Sequence, residues 1–127
     1  LSDTQITHEH RAERQKRVFD RAVEVWGAEP LVSRDDRARR FAEEAMELAQ
    51  TQGVEADTLK RLIDYVYGRP VGDVKQEIGG VMFSLYCLAE NLGLSVDGCE
   101  TDEINRFLGT DPEVFRKKNE AKREAGV

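Results

Sequence analysis

The chain has 127 residues, of which 35% are charged and 39% hydrophobic, and a formal charge of −6. That balance suits one globular domain over residues 1–127 and excludes a disordered chain. It also excludes a general binder of nucleic-acid polymers, which needs a basic surface, while leaving room for an anionic substrate held through a metal. No apolar run approaches the roughly 20 residues of a membrane span, and the first residues contain no secretory h-region. A cytoplasmic protein without a membrane partner is expected. Cys87 and Cys99 fit reduced thiols in such a compartment.

Taken in chain order, residues 1–8 are a polar tail. His8 and His10 flank Glu9 and read as tail histidines rather than metal ligands. A first helix is expected from about Glu9 to Trp26, where Val18, Ala22, Val25 and Trp26 recur at helical spacing, and Gly27 stops it. "AEPLVS" reads as a linker around Pro30. Ser33 can cap a second helix that carries Asp35 and Asp36 in its first turn, where the macrodipole favours acids, and ends near Thr51 before Gly53. A third helix covers about Ala56 to Tyr67. "YGRPVGD" is a break, since Gly68, Pro70 and Gly72 follow in quick succession. A fourth helix is expected from about Asp73 to Asn91, stopping at Gly93. Residues 94–99 read as a loop and Asp102 to Leu108 as a short helix. Asp111 followed by Pro112 opens a last helix that becomes basic towards its end. No strand-like alternation survives, so the expectation is an all-α, four- to five-helix bundle.

Two helices carry the candidate chemistry. On the second, "RRFAEEAMELAQ", the residues Phe41, Ala42, Ala45, Met46, Leu48 and Ala49 share one arc, and Glu43, Glu44 and Glu47 lie opposite with Arg40 among them. Alone, this reads as a solvated amphipathic face rather than a metal site, with Arg40 four residues before Glu44. The fourth helix is apolar almost all round and should be largely buried. One polar line runs through it: Asp73, Glu77, Gly80, Ser84 and Asn91. A buried Glu77 would need a cation; the alternatives to a metal there are a single arginine partner or an exposed helix edge. Gly79 and Gly80 each weaken a helix interior by roughly 1 kcal/mol and suggest that another helix or a ligand approaches this face closely. If the two helices pack as antiparallel neighbours, Glu44, Glu47 and Glu77 converge. Such a group of carboxylates needs a counter-charge, and oxygen donors of this kind suit Mg²⁺ or Mn²⁺ rather than zinc.

"FAEEAMEL" followed by "QEIGGVMFSL" resembles the MazG-like, all-α nucleoside triphosphate pyrophosphohydrolases. Their mark is an E-x-x-E pair on one helix and an E-x-x-D pair on a later one. The resemblance covers roughly residues 15 to 92. Glu44 and Glu47 match the first pair and Glu77 the glutamate of the second. The family's aspartate falls at Gly80, which has no side chain. Asp73, one turn before Glu77, is the first candidate to replace it as a metal ligand, ahead of Asp97 and Asp102. The resemblance implies Mg²⁺- or Mn²⁺-dependent hydrolysis of a nucleoside triphosphate to the monophosphate and pyrophosphate. Some members of the family clear non-standard pyrimidine nucleotides; a phage-type branch directed to dGTP is the closer likeness and would imply a host cytoplasm if the protein is phage-encoded. Glu43 or Glu47 would orient the attacking water or take its proton. Arg69, Lys117, Lys118 and Arg123 would hold phosphate oxygens, although basic residues near a helix end also read as solvated. Tyr86, with Phe83 and Trp26 as alternatives, would stack on the base, and Asn91 would add a polar contact, although each aromatic reads first as core. A homodimer or homotetramer is expected, because the fourth helix is more apolar than one small chain can cover. The competing reading is a non-enzymatic helical dimerisation or regulatory module that kept the fold and lost a ligand at Gly80.

Overall fold

The computed structural model describes residues 10–127, so His8, Glu9 and the expected tail lie outside the described residues. The described residues form seven helices and no strand. They are α1 (Arg11–Trp26), α2 (Ala28–Val32), α3 (Arg34–Thr51), α4 (Ala56–Tyr67), α5 (Val74–Asn91), α6 (Val96–Gly109) and α7 (Pro112–Glu124). Two compact units result, one formed by residues up to Arg39 together with Leu94–Val127, the other by Arg40–Gly93.

Local capping explains most boundaries. The Ser33 hydroxyl accepts from the Asp36 amide at 3.2 Å, Asp73 accepts from the Gln76 amide at 3.0 Å, and Asp111 accepts from the Glu113 amide at 3.0 Å. Each satisfies an amide that the helix start would otherwise leave unpaired. His10, expected in a mobile tail, instead caps α1 by accepting from the Ala12 amide at 3.3 Å. Gly53 (φ 79°) and Gly93 (φ 70°) end α3 and α5 in the left-handed conformation that glycine adopts without steric cost.

Two expected irregular segments are helical. "AEPLV" forms α2, with Pro30 inside the first turn, where a missing N–H costs nothing, and with Pro30 and Leu31 buried. The expected loop over residues 94–99 contains the start of α6, because the Ser95 hydroxyl accepts from the Gly98 amide at 3.0 Å and caps the helix at Val96.

The first unit holds the core. Ala22, Val25, Leu31 and Phe115 are buried, and Trp26, Phe107 and Phe115 form an aromatic cluster with ring centroids 4.8–6.0 Å apart. The Arg116 Nε donates to the Val25 carbonyl at 2.7 Å, tying α7 to an otherwise unpaired carbonyl near the end of α1. Arg14 is the buried charge of this unit. Its guanidinium donates to Glu100 at 2.6 Å and to Asp97 at 2.9 Å, which clamps α6 onto α1. The hydrogen bond to Glu100, then that to Asp97, holds the Arg14 guanidinium above its ordinary value, so it stays charged at any working pH. Arg14→Ala should cost about 1.5–3 kcal/mol, the usual worth of hydrogen bonds to charged groups. Arg14→Met should lose less, since it keeps the packed stem. Urea midpoints check both, and an unchanged midpoint in Arg14→Ala would leave the clamp without a stabilising role.

The second unit comprises α4, α5 and the part of α3 from Arg40 onwards. Here the sequence expectation fails most clearly. No residue of α3, α4 or α5 is buried, and Ile78 is 62% and Phe83 71% exposed. Leu62, Ile63, Val66 and Tyr86 are exposed as well. An apolar circumference needs neighbours on every side, and the few helices of this unit leave α5 without a buried residue. Phe83 and Tyr86 therefore do not serve as core. Trp26, in the first unit, does.

Candidate metal and phosphate cleft

In the second unit, α3 and α5 line a cleft of about 660 Å³. From α3 come Phe41, Glu44, Ala45, Leu48 and Ala49, and from α5 come Glu77, Gly80, Val81, Ser84, Leu85 and Leu88. Spacings of three and four residues on both helices produce this arrangement. Glu44 and Leu48 share one face of α3, and Glu77, Gly80, Ser84 and Leu88 share one face of α5. The apolar arc of α3 and the polar line of α5 open on one space, which Glu44 and Glu77 reach from different helices; Glu43 and Glu47 do not line it, and among the described residues Glu77 joins no group of three carboxylates close enough to hold an ion.

Glu43, Glu44 and Glu47 form a cluster in which one carboxylate oxygen from each lies within 4.8 Å of the others. Glu43 is half-buried and pairs with Arg40 at 3.3 Å. Arg40 is thus committed to the residue three positions on, rather than to Glu44 as the i,i+4 spacing suggested. Glu44, Glu47 and Glu77 are exposed, and their side chains make no ion pair or hydrogen bond to another described residue. For Glu77 this corrects the expectation of burial and agrees with the exposed-edge alternative. It is neither buried nor partnered by an arginine among the described residues, because the helix that carries it is itself uncovered.

Gly79 and Gly80 also depart from expectation. A Cβ built on either would meet nothing within 4 Å. Among the described residues no helix presses on this face, and at Gly80 the missing side chain leaves part of the cleft open. Gly80→Ala should therefore be accepted without a clash.

The remaining candidates are dispersed. One oxygen of Asp73 is engaged as the cap of α5, one turn before Glu77. Asp97 pairs with Arg14, and Asp102 is exposed on α6; both belong to the first unit. Arg69, in the break between α4 and α5, lies over the Tyr65 ring at 5.0 Å. Tyr86 and Asn91 are exposed on α5 but do not line the cleft. Lys117, Lys118 and Arg123 are exposed on α7, in the first unit. The cleft's apolar lining by Phe41, Leu48, Val81, Leu85 and Leu88 was not assigned a ligand role from sequence, since the same positions read as helix core.

The cleft therefore combines unneutralised carboxylates from two helices with an apolar wall. Oxygen donors without a nearby imidazole or thiol in the lining fit a hard divalent ion. The chain matches no known protein-family model, no curated protein and no solved structure.

Proposed function

We propose that the protein is a metal-dependent nucleoside triphosphate pyrophosphohydrolase of the MazG-like, all-α type. The observation that carries this reading is the shared cleft. Glu44 of α3 and Glu77 of α5 line it together, and neither has a protein counter-charge among the described residues. Glu44, Glu47 and Glu77 would hold Mg²⁺ or Mn²⁺, with Asp73 or a water taking the place of the aspartate missing at Gly80. Such an ion neutralises phosphate charge and lowers the pKa of a bound water. Glu43 or Glu47 would orient that water or accept its proton. The apolar wall supports a substrate with a flat organic part beside its phosphates. The test is incubation of the purified chain with each dNTP, dGTP included, and Mg²⁺ or Mn²⁺, assayed for monophosphate and pyrophosphate. The non-enzymatic module predicts no turnover and no effect of either ion on melting.

Mn²⁺ should raise the melting temperature, because an ion bound only by the folded chain stabilises it by mass action, by about 2.7 kcal/mol at one hundred times its Kd. Glu44→Gln and Glu47→Gln should reduce the rise. An unchanged response in both would make the glutamate face plain solvated surface.

The bundle is further proposed to be completed by a second copy, giving a homodimer or homotetramer. Exposed Val66, Ile78 and Phe83 support this, since covering each such side chain is worth about 1.5–3 kcal/mol. Light scattering should give at least a dimer at micromolar concentration, and Phe83→Glu should shift it towards monomer. A monomeric unmodified chain would refute the assembly.

A further inference from the structure

We propose that the side of α5 turned away from the cleft is a self-complementary seam, on which the α5 of a second copy packs antiparallel. The inference gives the proposed assembly a face and a register, and it is independent of the metal reading. Projected at 100° per residue, Lys75, Gly79, Phe83, Tyr86 and Glu90 fall within one arc of about 80°. The α5 residues that line the cleft, Glu77 and Gly80 among them, lie outside that arc. All five residues of the arc are exposed, Phe83 at 71% and Tyr86 at 46%. The side chains of Lys75 and Glu90 have no ion-pair partner among the described residues.

The order of residues along the arc selects both the occupant and its direction. Lys75 and Glu90 are equidistant from a midpoint between Met82 and Phe83, and so are Gly79 and Tyr86. A two-fold axis through that midpoint therefore sets Lys75 against the partner's Glu90 and, in the same register, Gly79 against the partner's Tyr86. Each relation is met twice, as a two-fold interface requires. The two Phe83 rings meet beside the axis and supply its apolar centre. A parallel pair would instead set lysine on lysine and glutamate on glutamate, and leave glycine facing glycine. Gly79 provides the room. A Cβ there meets nothing within 4 Å, so no contact among the described residues accounts for a residue that weakens the helix interior. An aromatic ring from a second helix accounts for it, as a knob entering a hole.

Variants of the full chain test the seam, each read as a dimer dissociation constant by sedimentation over a dilution series. Gly79→Leu should raise that constant at least about tenfold by filling the hole, although leucine is the better helix former. Lys75→Glu and Glu90→Lys should each raise it about tenfold, because each change creates two like-charge contacts across the axis. Both charge changes suit the helix dipole, an acid near the start of α5 and a base near its end, so a weaker assembly is not a weaker helix. The double variant should return to within about threefold of the unmodified chain, since it restores both pairs with their signs exchanged. A double variant as weak as the single ones overturns the antiparallel register. A dimer indifferent to Gly79→Leu overturns the seam and leaves the assembly standing on another face. A monomeric unmodified chain overturns both.

Discussion

Gly80→Asp should tighten Mn²⁺ binding at least about tenfold, or 1.4 kcal/mol. The position lies three residues after Glu77, so a carboxylate there stands beside Glu77 on the same helix face. The space for it exists, since a Cβ at Gly80 meets nothing within 4 Å and the residue already lines the cleft with Glu44 and Glu77. Without metal, the added repulsion costs a few tenths of a kcal/mol and is offset by the better helix propensity of aspartate. The melting temperature should therefore change little in chelator and rise more steeply with Mn²⁺ than in the unmodified chain. Gly80→Ala serves as control, gaining up to about 1 kcal/mol of stability with no gain in affinity. If Gly80→Asp binds Mn²⁺ no better, the α5 face is not part of a metal site.

Glu77→Gln should abolish hydrolysis and leave the metal-free fold as stable as before or slightly more so. Removing one charge from an acidic cleft relieves repulsion when no ion is present. Had an arginine neutralised Glu77 in a buried core, the same change would strand a cation and cost about 3–5 kcal/mol. No such pair exists among the described residues, so a loss of that size in chemical denaturation would overturn the description of the cleft. Asp73→Asn makes a clean companion. Asparagine caps a helix about as well as aspartate, so α5 keeps its start while the charge disappears. Full turnover in that variant would exclude Asp73 as the replacement for the missing aspartate.

Much of the secondary structure was legible because its causes are local. Ser33, Asp73 and Asp111 announce helix starts within a few residues of the amides they cap. The beginning of α6 was hidden because Gly98 in its first turn signals a loop, although Ser95 three residues earlier is the cap. The α2 turn was hidden behind Pro30, whose burial with Leu31 is a tertiary effect. The polar line of α5 was legible by spacing and lines the cleft, but α3 faces it with its apolar arc and Glu44, not with Glu43 and Glu47. What spacing could not supply was the surroundings. It assigned Glu77 to a buried helix, yet covering α5 depends on how many neighbours one chain provides. It linked Arg40 to Glu44, yet rotamers chose Glu43. It also overlooked Arg14, whose partners Asp97 and Glu100 are some eighty residues distant along the chain.

The aromatic cluster has an optical consequence. The chain has one tryptophan and three tyrosines. Trp26 packs in tilted and edge-on contacts with Phe107 and Phe115 in the first unit, whereas Tyr65, Tyr67 and Tyr86 all belong to the second. Emission excited at the red edge of indole absorption reports the clamped core alone. Tyrosine absorbance, read as a difference spectrum, follows the cleft-bearing unit. One unlabelled sample therefore carries two separate dyes, and two melting curves recorded on it would show whether the core and the cleft lose their structure together.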